Sequence, residues 1–491
     1  FERKDKVQGI IVTHGHEDHI GGLPYLMQEV KAPLYAKRLT LGLIEVKLKE
    51  HHLLDDADLH TVSPGDVVDL GPFSVEFFRV CHSIPDGVGL GITTPVGLVV
   101  HSGDFKFDQT PVDGRLTDFA RLAELGGRGV LALFSDSTNA ETNGHTPSEQ
   151  VVGETFEQVF AQAEGRIIIA TFASNISRVQ QVVDTARKFN RRVGVVGRSM
   201  INYAKAASKL GYLDIAPDEL LLSHEMNSLP PEQVAIACTG SQGEPTSALV
   251  RMALGEHRQV NIRPGDTVIV SATPIPGNEE LVNRTVNNLF RAGARVYHHE
   301  RMQVHVSGHG NREEHKLMLN LVRPKFFVPI HGEYRHLVHH ARMAEQVGIP
   351  PENIFVIESG QVLEFGSDWG RTNGQVTEGH IMVDGLGVGD VGNVVLRDRH
   401  LLSRDGFVVV VVAVDSDTGK LVDGPYIITR GFVYIRESGD LIEDAAQCVL
   451  EALAHGGPKI TLNAKIKDSL SPFLYEQTRR RPMILPVVME V

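Results

Sequence analysis

Thr13-His14-Gly15-His16-Glu17-Asp18-His19 is the stretch on which the reading of this chain turns. His14, His16, Asp18 and His19 crowd three imidazoles and a carboxylate into six positions. Residues 9–13 before it read as a short buried strand, and residues 20–30 after it as a helix with Pro24 in its first turn. The cluster is therefore expected in a turn, not spread around a helix axis, and Gly15 permits a tight approach there. Imidazole suits zinc, while a carboxylate adds negative charge and accepts a harder ion such as Mn²⁺. The plain alternative is a polar surface turn with histidines by chance.

Further polar candidates each follow an apolar strand. Residues 74–80 lead to Cys81-His82, residues 98–102 are followed by Asp104, and residues 130–134 by Ser135-Asp136-Ser137-Thr138-Asn139. Residues 326–330 lead to His331-Gly332-Glu333. Loops at one sheet edge can converge on a single point. Alone, His82, Asp104 and His331 read equally well as structural residues. With the first cluster they complete two coordination shells: His14, His16 and His82 on one metal, Asp18, His19 and His331 on a second, and Asp104 bridging. A close metal pair suits phosphodiester hydrolysis, because it activates water and neutralises charge developing on phosphoryl oxygens. It does not by itself select phosphate over lactam or thioester.

From about residue 148 the texture becomes strand-helix alternation. Strands are predicted at 166–171, 192–196, 234–238 and 267–270, and helices at 174–189 and 278–290. That pattern implies an α/β domain with a mostly parallel sheet. The strand at 326–330 and the helix at 334–346 resemble the first segment again, so the middle domain reads as an insertion. A Gly-rich linker follows. Strands at 407–414, 426–429 and 483–489 with a helix at 440–453 then make a small third domain.

Bulk properties agree with a globular chain of several domains. It has 491 residues, 42% hydrophobic and 22% charged. No apolar run reaches the length of a membrane span. The three cysteines lie far apart, at Cys81, Cys238 and Cys448. They suit neither a disulfide framework nor a thiolate zinc site, and they point to the cytoplasm. A net charge of −13 argues against a general basic coat for nucleic acid but leaves room for a local groove. Arg187, Lys188, Arg191, Arg192 and Arg198 read either as such a path or as a solvated face.

Several stretches together carry a family resemblance: THGHEDHIGGLPYL (13–26), HSGDFKFD (101–108), SDSTNA (135–140), TFASNISRVQQ (171–181), HVSGHG (305–310), PKFFVPIHGEYRHL (324–337), GDVGNVVLRDR (389–399) and RRRPMILPVVMEV (479–491). The chain resembles ribonuclease J, of the β-CASP branch of the metallo-β-lactamase superfamily, along essentially its whole length. The resemblance implies an α/β fold: a metallo-β-lactamase αββα sandwich with an inserted β-CASP α/β domain and a small C-terminal α/β domain. The boundaries expected are 1–147 and 324–366 for the metallo-β-lactamase domain, 148–323 for the β-CASP domain, 367–393 for a linker and 394–491 for the C-terminal domain. Family members carry a longer stretch before the first histidine motif, with the opening strands of the sheet. Residues upstream of Phe1 are therefore expected.

The resemblance carries the same seven ligands onto His14, His16, Asp18, His19, His82, Asp104 and His331. It implies two divalent ions, with Zn²⁺ expected and Mn²⁺ the alternative. Asp18, Asp104, Asp136 and His309 are the expected catalytic set. His309 would serve the leaving oxygen and Asp136 would orient a metal-bound histidine. The implied activity is ribonucleolytic, in RNA maturation and decay, with 5′-to-3′ exonuclease action favouring 5′-monophosphate ends, and endonuclease action. A 5′-phosphate pocket is expected from Phe172, Ala173, Ser174 and Asn175, with His305, Ser307, Gly308 and His309 opposite. Ser174 and Asn175 stand at a predicted helix start, which suits an anion and equally suits an ordinary N-cap. Single-stranded RNA is the expected partner, a homodimer or tetramer the expected assembly, with RNA-decay proteins as further partners and no membrane. A β-CASP DNA nuclease, a small-molecule metallohydrolase and a non-catalytic RNA-binding scaffold are the rival readings.

Overall fold

In the computed structural model, residues 3–222, 224–384, 387–388, 392–432, 439–455 and 459–491 are described. The chain divides into two compact units, 1–377 and 378–491.

Two sheets stack in the first unit. The smaller one joins Ile10–Ile11, Leu34–Ala36 and Leu59–Thr61 in parallel. The larger runs in the order Phe326–Ile330, Val130–Asp136, Gly97–His101, Val88–Thr94, Phe73–Arg79, Val67–Leu70. Alternation along the strands explains the layering. Phe77 turns toward the smaller sheet and packs with Val62, Val75, Val88, Leu90, Ile11 and Tyr35. Its neighbour Phe78 turns the other way, onto Leu122, Leu125, Met318 and Val322 of two helices. Leu34 and Ala36 face Leu23, Met27 and Leu39 on the remaining side. Helices thus cover both outer faces of two packed sheets: the αββα sandwich.

Residues 167–297 build a separate six-stranded sheet, every pairing parallel, in the order Leu220–Leu221, Arg192–Val196, Val234–Cys238, Ile167–Ala170, Thr267–Val270, Arg295–Tyr297. Its central strands are buried on both faces and read as unbroken apolar runs, as parallel strands do. The chain then returns. Phe326–Ile330 adds in parallel beside Val130–Asp136, with Ile330 opposite Asp136. That register sets His331 next to Asp136.

Several elements differ from expectation. The helix expected at 20–30 is a single turn, Glu17–Ile20, followed by Leu23–Glu29. The Gly21–Gly22 pair divides them and Pro24 starts the second. Asp18 and His19 therefore sit on a helical turn, and only His14 to His16 occupy the turn proper. The expected linker 367–393 opens with the strand Gly370–Gln375, antiparallel to Gln361–Phe365. Its residues 385, 386 and 389–391, the last three also opening the GDVGNVVLRDR stretch, lie outside the described residues.

In the second unit Phe407–Val414 lies between Leu421–Arg430 and Met483–Glu490. The helices Gly439–Leu453 and Lys459–Thr478 cover one face, where Val408, Val410, Val412 and Val414 meet Val449, Ile466 and Leu470. The second helix went unread, because Pro472 lies inside it.

Candidate metal centre

The loops that follow the strands do converge. Asp104 Oδ2 lies 3.2 Å from His19 Nε2, 3.6 Å from His14 Nε2, 3.6 Å from His331 Nε2 and 3.9 Å from His82 Nε2. His16 Nδ1 approaches His82 Nε2 at 2.9 Å. Asp18 Oδ2 stands 3.7 Å from His331 Nε2 and 3.6 Å from His19 Nε2. Donor atoms group as His14, His16 and His82 on one side and Asp18, His19, Asp104 and His331 on the other. All seven residues are thus brought together from four separated stretches.

Backbone geometry aims them. Gly103 has φ +61°, and a Cβ there would come 2.5 Å from the Val88 carbonyl oxygen. Only glycine makes that turn, which delivers Asp104 inward. His331 itself has φ +57°, a left-handed conformation uncommon for residues with a side chain, though less so for histidine, and one that clusters at functional sites. Gly15 is confined by Leu43, 2.8 Å from where its Cβ would stand.

The far nitrogens are tied down. His82 Nδ1 donates to the Gly308 carbonyl at 2.6 Å, so its Nε2 presents a lone pair to the centre. His331 Nδ1 contacts Thr138 Oγ1 at 2.9 Å and Asp136 Oδ1 at 3.3 Å. His14 Nδ1 meets Thr13 Oγ1 at 3.1 Å, while His14 Nε2 is buried without a hydrogen-bond partner. A buried unpaired nitrogen aimed at a carboxylate suits a cation between them. Burial pushes His14 and His82 well below the usual histidine range, and His16 to about 4. Neutral imidazoles are the form that ligates. Hydrogen bonding from His331 holds Asp18 below the carboxylate range. Burial opposes charge on His331, yet hydrogen bonds to Asp136 and Asp18 and the charge of Asp104 raise it to about 11. The same carboxylates that hold a proton there favour a divalent ion. The donor set fits a pair of such ions.

Asp136 and His309 sit against this group. Asp136 is fully buried, with Oδ2 2.7 Å from His309 Nδ1. It also accepts from the backbone N–H of Thr138 at 2.9 Å. The His309 ring stacks on His331 at 5.3 Å and meets the His82 ring edge-on at 4.8 Å. Burial opposes charge on His309, but Asp136 prevails and raises it.

Several supporting residues escaped the sequence reading. Asn139 donates to Ser307 Oγ at 2.8 Å and to the His309 carbonyl at 3.3 Å. Thr146 Oγ1 donates to the same carbonyl at 2.8 Å. Buried Glu314 accepts from the backbone N–H groups of Phe107, Thr146 and Asn311. His340 and His315 back the Ser137-Thr138 segment. Thr138 and Asn139 lay in plain view after Asp136, but nothing local marks their distant partners.

The expected phosphate-pocket residues fall into two segments. Asn175 caps the helix Ile176–Lys188 by accepting the Arg178 N–H at 3.0 Å. Phe172, Ala173 and Ser174 line a cavity with Glu17, Lys47, Tyr203, Thr239 and Ser241. Residues 305–309 lie at the metal loops, with Ser307 Oγ accepting the His309 N–H at 3.1 Å. Burial holds His305 near 3, so it brings no positive charge. The basic stretch is largely spent on internal partners: Arg187 on Glu219, Lys188 on Glu157, Arg192 on Glu225, and Arg191 on carbonyls including that of Ala163.

Comparison with known proteins adds identity to this geometry. The family model for the ribonuclease J beta-CASP domain matches residues 164–289, and that for the ribonuclease J C-terminal domain matches residues 394–491. A Zn-dependent metallo-hydrolase RNA specificity domain matches 295–356, and a beta-lactamase superfamily domain 2–127. Ribonuclease J2 of Bacillus subtilis (strain 168) is 46% identical over 100% of this chain and 89% of its own length. Ribonuclease J 1 of Streptococcus pyogenes is 46% identical over 99% and 87%. Ribonuclease J 2 of Staphylococcus aureus (strain NCTC 8325) is 40% identical over 100% and 89%. A solved structure of a protein of unknown function from Enterococcus faecalis V583 superposes with a TM-score of 0.51 over 74% of this chain and 81% of that one, at 14% identity. That likeness concerns the fold.

Proposed function

The chain belongs to the ribonuclease J family, and from that premise we propose how its residues divide the work of a metal-dependent ribonuclease. The enzyme hydrolyses RNA in processing and decay. His14, His16 and His82 would hold one divalent ion, Asp18, His19 and His331 a second, and Asp104 would be shared. Zinc is the expected occupant and manganese the alternative. When bound, the pair supplies positive charge that favours deprotonation of water and offsets charge on the phosphoryl oxygens.

The protein's own part is positioning and proton supply. Gly308, Thr138 and Asp136 fix the tautomers of His82 and His331. His309 keeps Nδ1 on Asp136, leaving Nε2 free to pass a proton to the departing oxygen. Asp136 thus serves two histidines from one carboxylate. The single observation that carries this reading is the convergence of four imidazole nitrogens on one oxygen of Asp104.

We assign the 5′ end of single-stranded RNA to the space between 172–175 and 305–309, with 5′-to-3′ action on monophosphate ends and internal cleavage as a second mode. Support comes from the 305–309 segment lying directly on His82. The uncovered apolar face of the C-terminal sheet, with Tyr426, Ile428, Leu485, Val487 and Met489 exposed, supports a homodimer or a tetramer. Three unpaired cysteines suit the cytoplasm. Among the described residues no helix is long and apolar enough to cross a membrane. RNA-decay proteins are further candidate partners.

The test supplies Zn²⁺ or Mn²⁺ with end-labelled 5′-monophosphate RNA, 5′-triphosphate RNA and matched DNA. Preferential loss of the monophosphate RNA supports the reading. Equal cleavage of DNA favours a DNA nuclease, and RNA that keeps its length favours a scaffold.

A further inference from the structure

Arg178 has no solvent exposure, and the metal chemistry makes no use of it. It stands in the first turn of the helix Ile176–Lys188, just after the capping Asn175. Each of its three guanidinium nitrogens is engaged. Nη2 donates to Glu149 Oε2 at 2.6 Å, Nε to Gln181 Oε1 at 2.9 Å, and Nη1 to the Val304 carbonyl at 3.0 Å and to Ser271 Oγ. The partners are themselves cross-linked. Ser271 Oγ donates to the Val304 carbonyl at 2.6 Å, and Gln181 Nε2 to the Glu149 carbonyl at 2.7 Å.

The places these partners occupy are telling. Val304 immediately precedes 305–309, and Asn175 closes 172–175. Arg178 therefore touches both walls of the space assigned to the RNA 5′ end: its guanidinium reaches the Val304 carbonyl, and its backbone N–H donates to Asn175 Oδ1 at 3.0 Å. Its anchor, Glu149, leads back to the metal loops. Glu149 Oε1 lies 3.7 Å from Lys106 Nζ, Lys106 lies 3.3 Å from Asp108 Oδ2, and Asp108 accepts the Glu149 N–H at 3.0 Å. Lys106 follows Asp104 on the same loop, and its N–H donates to the carbonyl of Cys81, the neighbour of His82.

Burying such a network is unfavourable unless every charge is paired, and apolar side chains could pack the same helix without desolvating an ion. What the fork offers instead is fixed geometry to several acceptors at once, which a lysine ammonium cannot reproduce. We propose that Arg178 is a positioning residue that holds both walls of the 5′-end seat at a set distance from Asp104, coupling recognition of the end to cleavage. This rests on the 5′-end reading above.

The test uses the metal-loaded full chain as wild type, Arg178→Lys and Glu149→Gln. Substrates share one sequence as 5′-monophosphate RNA, 5′-hydroxyl RNA and circular RNA without an end. The preference in kcat/KM for monophosphate over hydroxyl should fall at least about tenfold in both variants, since small misplacements of a bound group are heavily penalised. Cleavage of the circle should stay within about twofold of wild type, because that substrate does not use the seat. Equal losses on all three RNAs would reveal a merely structural role and overturn the proposal, as would an undiminished preference. Should Arg178→Lys not fold, Glu149→Gln and Ser271→Ala carry the same expectation. A wild type indifferent to the monophosphate overturns the 5′-end reading and this proposal together. A wild-type preference that survives in the variants overturns the proposal alone.

Discussion

Asp136 gives one oxygen to His309 and the other to His331, at 2.7 and 3.3 Å. Asp136→Asn removes the charge that holds a proton on the first and fixes the tautomer of the second. Activity should fall by roughly 10–100-fold, with weakened metal binding, as for other groups that orient ligands. Metal titration followed by turnover checks both effects. His309→Gln should behave differently, because His309 lies outside the assigned ligand set. It should lower kcat by about 10²–10⁴-fold, the range of a lost general acid, with metal content intact. Comparing metal stoichiometry with kcat separates the two variants. The proposed ligands were legible because HxHxDH is local and each remaining one follows an apolar strand. The contacts of Thr138, Asn139, Thr146 and Glu314 were not, because their partners stand far away in sequence and are chosen by tertiary packing.

At the scale of elements, the segment 305–310 is held by its carbonyls. Gly308 accepts from His82, and a Cβ at Gly308 would stand 2.7 Å from His82 Cε1. Gly308→Ala should therefore displace a ligand ring and reduce metal affinity or activity about tenfold or more, while leaving the fold cooperative. Calorimetric melting alongside metal titration tests this. The strand Ile167–Ala170 is pinned by a different device. Arg166, 2% exposed, meets Asp266 with Nε and Nη2 at 3.0 and 2.6 Å. Arg166→Ala strands a buried carboxylate and should cost about 3–5 kcal/mol in denaturant melts. The four central strands and the helices Ile176–Lys188 and Glu279–Arg291 were readable from apolar runs, whereas the edge strands Leu220–Leu221 and Arg295–Tyr297 and the helices Gln150–Gln162 and Arg198–Lys209 were not. The order of the strands in the sheet was not readable either, since pairing between Ile167–Ala170 and Thr267–Val270 is decided across many intervening residues. The helix Lys459–Thr478 was missed for a local reason, the proline inside it.

Across the whole molecule, one inserted parallel sheet and one returning strand explain how distant loops come to share a centre. Placing Ile330 opposite Asp136 is the step that closes the site. That return was anticipated from the kinship of the strand at 326–330 and the helix at 334–346 with the first segment, whereas the side-by-side register needed three dimensions. The acidic balance of the chain, −13, told nothing of this. The charges that matter are the few gathered about Asp104. Prolonged chelation should abolish RNA cleavage, and Zn²⁺ or Mn²⁺ should restore it to wild type.

The proposed centre would share Asp104 between two divalent ions. Elemental analysis of metal bound per chain, made on the wild type and Asp104→Ala after identical loading and desalting, tests it most directly. The expected result is about two divalent ions on the wild type and a clear deficit in the variant, with cleavage lost in parallel. An unchanged metal complement in the variant, or RNA degraded as fast without Asp104, would contradict the account.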